Sequence, residues 1–274
     1  MVPASTILFC ILTLFISLIL PILILIIFSI RNKKQGILSA WLLGAAGFFV
    51  TQILIRLPIL TVLQSQSWFL NFAQDHLFGY AFSLAFTAGV FELAGRFAVA
   101  KIMHKNLSFN RSLAAGFGHG GIEAMILIGM TYVNNLIYIF MINSGAFDTM
   151  LAQSAAMGVD VTQLELIRTQ LQSTSPLLFA LAGIERLLAM TGHTAMSLIV
   201  CYGVAHKKAL PCALICLGIH TLMDLTAGIP MVLPQNIAYP IVYTILTAMA
   251  AISIALILDI RRRWNKEVSY DSQK

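Results

Sequence analysis

The sequence predicts an all-α, polytopic membrane bundle of seven transmembrane helices, with its amino terminus outside and its carboxyl terminus in the cytoplasm. Three observations predict it. Hydrophobic residues make up 59% of the 274 and charged residues 10%, whereas a soluble domain averages about 25% charged. Seven apolar runs each supply the roughly 20 residues that a membrane span needs. Basic residues gather in alternate connections between those runs, the pattern of cytoplasmic loops.

The runs cover residues 6–30, 37–63, 77–102, 112–142, 176–204, 209–229 and 233–260. They are too long for barrel strands, and backbone groups left unpaired in lipid are costly, so each run is read as a helix of one transmembrane domain. The first run lacks a basic leading region, and no small-residue cleavage site precedes Arg31, so it reads as a retained anchor. Arg31, Lys33 and Lys34 follow the first helix; Lys101, Lys105 and Arg111 lie between the third and fourth. Lys207 and Lys208 separate the fifth from the sixth, and a basic tail over 261–274 begins with Arg261, Arg262 and Arg263. The connections on the other side hold a single basic residue, Arg168, which gives one orientation throughout. The 143–175 connection is the one long loop, external and polar, and residues 161–171 carry helical spacing for a short interfacial helix.

Composition also excludes function classes. The net charge of +6 comes from short clusters between apolar runs, so nucleic acid is not an expected partner; membrane lipids are. Cys10, Cys201, Cys212 and Cys216 form no CxxC pair, which leaves neither a disulfide framework nor a thiolate zinc site.

Function is sought in ionisable groups at membrane depth, which are costly and mark sites by default. Glu92, Arg96, His119, Glu123, Glu185, Arg186, His193, His220 and Asp224 all fall inside the apolar runs. Glu123 and His220 lie about 11 residues into the fourth and sixth runs, and His193 about 11 from the end of the fifth, roughly 16 Å from the inner boundary in each case. Three successive helices therefore carry a Glu, a His and a His at one level. His119 and Glu123 are four residues apart, as are His220 and Asp224 and the oppositely charged Glu92 and Arg96, so each pair shares a helix face. Gly116, Gly118, Gly120 and Gly121 surround His119 and allow a neighbouring helix or a substrate backbone to approach closely.

Imidazoles and a carboxylate are ligands of a catalytic zinc with an open position for water. The candidate catalytic and metal-binding groups are His119, Glu123, His193 and His220, with Asp224 as a further ligand or an orienting group for His220. Glu92, Arg96, Glu185 and Arg186 form the expected supporting network. The chemistry is hydrolysis, with water activated either on Zn2+ or, without metal, by Glu123 as general base.

The runs GFGHGGIEA (116–124), GIERLLAMTGHTAMSL (183–198) and GIHTLMD (218–224) resemble the YhfC family of bacterial membrane proteins, which is grouped with intramembrane metalloproteases. That group includes the type II CAAX prenyl endopeptidases, the PrsW proteases and the seven-span scaffold subunit of gamma-secretase. The resemblance implies a multi-pass protein of the bacterial plasma membrane, in which Glu123 matches the group's glutamate, His193 its first histidine, and His220 with Asp224 its HxxxD motif. The tandem EExxxR of the group is absent around Glu123, where Ile122 precedes and Leu127 takes the place of Arg.

The leading expectation is an intramembrane peptidase acting on a membrane-protein or lipoprotein substrate. A non-catalytic membrane scaffold or chaperone would use the same groups to hold the bundle or a partner helix. A small metal or proton transporter would use them as a relay, although no pair of broken helices in matching halves accompanies them.

Overall fold

The computed structural model describes residues 1–271 of the chain. Among the described residues, seven helices are long and apolar enough to cross a membrane: α1 Ala4–Arg31, α2 Ile37–Gln64, α3 Leu77–Ile102, α4 Phe109–Ser144, α5 Pro176–Ala205, α6 Ala209–Val232 and α7 Gln235–Lys266. No strand occurs among the described residues. The 143–175 connection carries two helices rather than one. Thr162–Ser173 covers the stretch with helical spacing, and Ala146–Ala156, which hydropathy does not predict, buries Phe147 and Leu151. A further short helix, Ser67–Asp75, joins α2 to α3. Of the basic tail, residues 272–274 lie outside the described residues.

Three spans contain widened, π-type turns: Phe15–Ile19 in α1, Phe49–Arg56 in α2 and Ala124–Gly129 in α4. Two of them have a local cause. A proline ring collides with the carbonyl four residues before it. For Pro21 and Pro58 those carbonyls belong to Ser17 and Leu54, both inside a widened stretch. The third stretch follows Glu123 directly and contains no proline. Widened turns recur at functional sites.

The chain forms two compact units. The first comprises Met1–Ile22 and Ala124–Leu187, the second Leu23–Glu123 and the described residues from Leu188 onward. In the first, Cys10, Tyr132, Ile139, Leu171 and Phe179 make an apolar core. The hydroxyls of Thr13 and Tyr132 both donate to the Phe179 carbonyl, at 2.6 and 3.1 Å. In the second, the core runs from Ile37 and Ala40 through Val99 and Ala115 to Met196, Leu198 and Trp264.

Small residues set the helix spacing in the second unit. A Cβ on Gly44 would overlap the Ala115 backbone, and one on Gly118 would overlap that of Trp41, so α2 and α4 touch main chain to main chain. A Cβ on Gly95 of α3 would lie 2.7 Å from the Gly47 carbonyl oxygen of α2. Lipid offers no hydrophobic drive for helices to associate, so packing at this distance is what holds them together.

Candidate metal centre

The centre is built around Glu92. One turn of α3 places Arg96 beside it, with Nη2 donating to Oε2 at 3.0 Å, and both residues are 3% exposed. An isolated buried carboxylate is strongly unfavourable, so its oxygens need partners. The widened turn of α2 supplies one: Gln52 donates from Nε2 to Glu92 Oε1 at 2.7 Å. Gln52 in turn accepts from Arg56 Nη1 at 3.2 Å, while Arg56 Nη2 donates to the Leu84 carbonyl at 2.6 Å. Oε1 is thereby committed to an amide, which leaves Oε2 to face the histidines.

Three imidazoles surround Oε2. His119 of α4 brings Nε2 to 2.9 Å, His220 of α6 brings Nε2 to 2.8 Å, and His193 of α5 brings Nδ1 to 3.5 Å. The His119 ring meets Phe48 edge-on, and the His193 ring stacks on His119 with centroids 5.6 Å apart and stands edge-on to His220 at 5.5 Å. His193 is held from both ends. Its Nδ1 is 2.6 Å from Arg96 Nη2 and its Nε2 is 2.8 Å from Glu123 Oε2. A guanidinium can only donate, so a neutral His193 accepts at Nδ1 and carries its proton on Nε2, toward Glu123. His220 Nδ1 lies 3.4 Å from Asp224 Oδ2. Both nitrogens of His220 are close to carboxylates, yet neither is aligned for a hydrogen bond.

The glycines of α4 make this crowding possible. A Cβ on Gly116 would stand 2.7 Å from the Thr194 Cα, and one on Gly120 would stand 2.9 Å from the His193 Cβ. Of the two partners that the glycine run allows, a neighbouring helix is present: α5 lies in that space and brings His193 with it.

The donor set suits a divalent ion. Ligand atoms of Glu92, His119 and His193 lie within 4.8 Å of one another, and all three residues are buried. Two imidazoles and one carboxylate are a catalytic zinc set, whose bonds of about 2.0–2.2 Å require the ligand atoms to draw together to roughly 3.5 Å. The unaligned nitrogens of His220 are likewise better suited to a metal or a water than to the oxygens they approach. Beside the cluster is a cavity of about 10 Å³ lined by Arg96, His119, Ser197 and Cys201. A separate apolar groove of about 490 Å³ runs along α3, α6 and α7 past Phe78, Leu222, Leu225 and Met249.

The four residues expected to act together, His119, Glu123, His193 and His220, therefore share one cluster. The central carboxylate is Glu92, which the sequence reading places in a supporting network. Glu123 touches the cluster through His193, and Asp224 through His220. Glu185 and Arg186 belong to the first unit and pair with each other, although neighbouring positions diverge on a helix. Gln52 is absent from the sequence reading, because an amide at membrane depth carries no charge to draw notice. Glu92 had a legible signal: it precedes Arg96 by four residues, the spacing from the second Glu to the Arg in the EExxxR pattern sought around Glu123.

Fold and site together define a multi-pass helical membrane protein with a buried carboxylate–imidazole cluster of metal-binding chemistry. The family model described as YhfC intramembrane metalloprotease matches residues 16–250, and the chain belongs to that family. It is 30% identical over 267 residues to the uncharacterized membrane protein YhfC of Bacillus subtilis (strain 168), a match covering 96% of this chain and 99% of that protein. No solved structure matches.

Proposed function

We propose that the protein is an intramembrane peptidase that hydrolyses a peptide bond of a membrane-protein or lipoprotein substrate within the bilayer. The observation that carries this reading is the buried Glu92–His119–His193 group, whose donor atoms lie within 4.8 Å of one another. Those three residues would hold Zn2+, with His220 beside them. Bound there, the ion would polarise the scissile carbonyl and lower the pKa of a water to about 7. Glu123 is the general base. Its side chain is 12% exposed against 4% for Glu92, so it retains access to a water. It takes the water's proton and delivers it to the leaving amine. His193 Nε2, 2.8 Å from Glu123 Oε2, holds that oxygen in place and leaves the other to face the water. Asp224 orients His220 through Nδ1. If no metal binds, the same Glu123 acts as base and the histidines steady the oxyanion.

The family's description as intramembrane metalloproteases supports this reading. We assign the chain to the bacterial plasma membrane with its amino terminus outside, on the alternation of basic connections. The second reading, a non-catalytic scaffold, is favoured by one feature: Gln52, Arg96 and His119 tie α2, α3 and α4 together through Glu92.

The separating experiment uses purified protein in proteoliposomes with transmembrane model peptides, products being read by mass spectrometry. Glu123→Gln should reduce cleavage by about 100-fold or more with the melting temperature unchanged. A wild-type protein inert toward every peptide, together with histidine variants that lose assembly, would favour the scaffold. A Glu123→Gln protein that cleaves normally would remove Glu123 from its role.

A further inference from the structure

The Arg96 guanidinium stands where a metal ion would have to act. Its Nη2 is 3.0 Å from Glu92 Oε2 and 2.6 Å from His193 Nδ1. These atoms belong to two of the three residues in the metal-binding group. A guanidinium uses the oxygen and nitrogen lone pairs that a metal would use. Two cations sharing those lone pairs in a buried site also repel each other, with little solvent to screen them.

The other edge of Arg96 is poorly held. Its Nε and Nη1 are buried without a hydrogen-bond partner, and so is the Ser197 hydroxyl. Between them lies the cavity of about 10 Å³ lined by Arg96, His119, Ser197 and Cys201. Buried polar groups are normally satisfied, and a cluster that is not needs a reason. One is that the guanidinium has a second position, turned toward Ser197, in which these groups satisfy one another.

We propose that Arg96 is the resident cation of the Glu92–His119–His193 centre, and that a divalent metal binds by displacing it toward Ser197. The proposal rests on the metal-centre reading above and adds a direction to it. With Arg96 in its present place, Glu92 has a cation and His193 has a donor, so the metal-free protein is stable. Once the metal takes Nδ1 of His193, the proton stays on Nε2, facing Glu123 at 2.8 Å, in a carboxylate–histidine–metal arrangement that orients the ring. An ordinary supporting residue would weaken metal binding when removed; a competitor strengthens it.

The test titrates Co2+ into the full-length protein in lipid nanodiscs, following the visible absorption of the bound ion. Zn2+-dependent shifts in melting temperature are measured in parallel. Arg96→Met should bind Co2+ at least about tenfold more tightly than wild type, show the larger Zn2+-induced shift, and lose both when combined with His119→Ala. Should Arg96→Met fail to fold, Arg96→Gln keeps a donor for Glu92, lacks the charge and should show the same gain. Ser197→Val, which fills the cavity, should weaken binding in the wild-type background and leave it unchanged beside Arg96→Met. One equivalent of Co2+ in wild type with equal or weaker binding in both Arg96 variants would overturn the proposal and leave the metal centre standing. No binding in any variant would overturn both, leaving only the glutamate-base route.

Discussion

Two acid–base pairs among those in the described spans differ sharply, and the first is built into the candidate site. Glu92 and Arg96 are four residues apart on α3, with side chains 4% and 1% exposed. Glu185 and Arg186 are adjacent on α5, with side chains 37% and 13% exposed. The first pair shares its charges with an amide and three imidazoles. In the second, Arg186 Nη2 pairs with the neighbouring Glu185. Composition and hydropathy treat the two alike. The difference is that a pair on one helix face can be enclosed by neighbouring helices, and enclosure demands further partners.

The largest expected effect tests that contrast directly. In metal-free protein, Glu92→Gln should cost about 3–5 kcal/mol, because it leaves a buried Arg96 uncompensated. Glu185→Gln should cost less, about 0–1 kcal/mol, because the Glu185 side chain is more than a third exposed. Reversible unfolding in bicelles would measure both, and equal losses would break the comparison. A smaller effect concerns packing in the two units. Gly118→Ala forces a methyl group into the Trp41 backbone and should destabilise by about 1–3 kcal/mol. Gly129→Ala places its methyl group 3.4 Å from the Leu18 Cβ, an ordinary contact, and should be neutral or stabilising by up to about 1 kcal/mol. A neutral Gly118→Ala would mean that α2 and α4 can separate without loss.

The smallest effect lies in the α4–α5 connection. Asp160 accepts from the Thr162 amide at 2.9 Å and from its hydroxyl at 2.6 Å, which hold the carboxyl below its usual range. A depressed carboxyl contributes stability above its ordinary value of 3.8 and loses it as pH falls through the lower folded value. The Thr162 amide should therefore be protected from exchange, relative to its intrinsic rate at each pH, at neutral pH and lose that protection in acid, and Asp160→Asn should remove most of this change in protection. A protection factor at Thr162 that does not change with pH in the native chain would show that the carboxylate does not hold this helix start.

The sequence displays the helices more plainly than the site. Each of the seven spans announces itself in a run such as that preceding Arg31, because a helix that crosses lipid pairs its backbone internally and needs about 20 apolar residues, too long a run for a barrel strand. Helix Ala146–Ala156 escapes such a reading because only Phe147 and Leu151 are buried along it, too few to mark a periodic face. The widened turns of α1 and α2 are foreshadowed by Pro21 and Pro58; the one after Glu123 has no such marker.

The candidate site divides in the same way. His119, Glu123, His193 and His220 are legible because charge-bearing groups at membrane depth are expensive wherever they point, so each attracts notice by itself. Their common depth adds that they can meet. Which carboxylate becomes the centre is a different kind of fact. Glu92 takes that place, and Glu123 sits one imidazole away, because the glycines at 44, 116, 118 and 120 let α2, α4 and α5 close in by amounts that no single-helix pattern encodes. Gln52 enters through the widened turn of α2, where its register on the helix face departs from regular spacing. Seven apolar helices and the polar groups they carry can be read directly from residue order, since both follow from transfer of each residue out of water. Which of those groups share a lone pair follows from the packing of the helices, because it depends on interhelical distances set by main-chain contact.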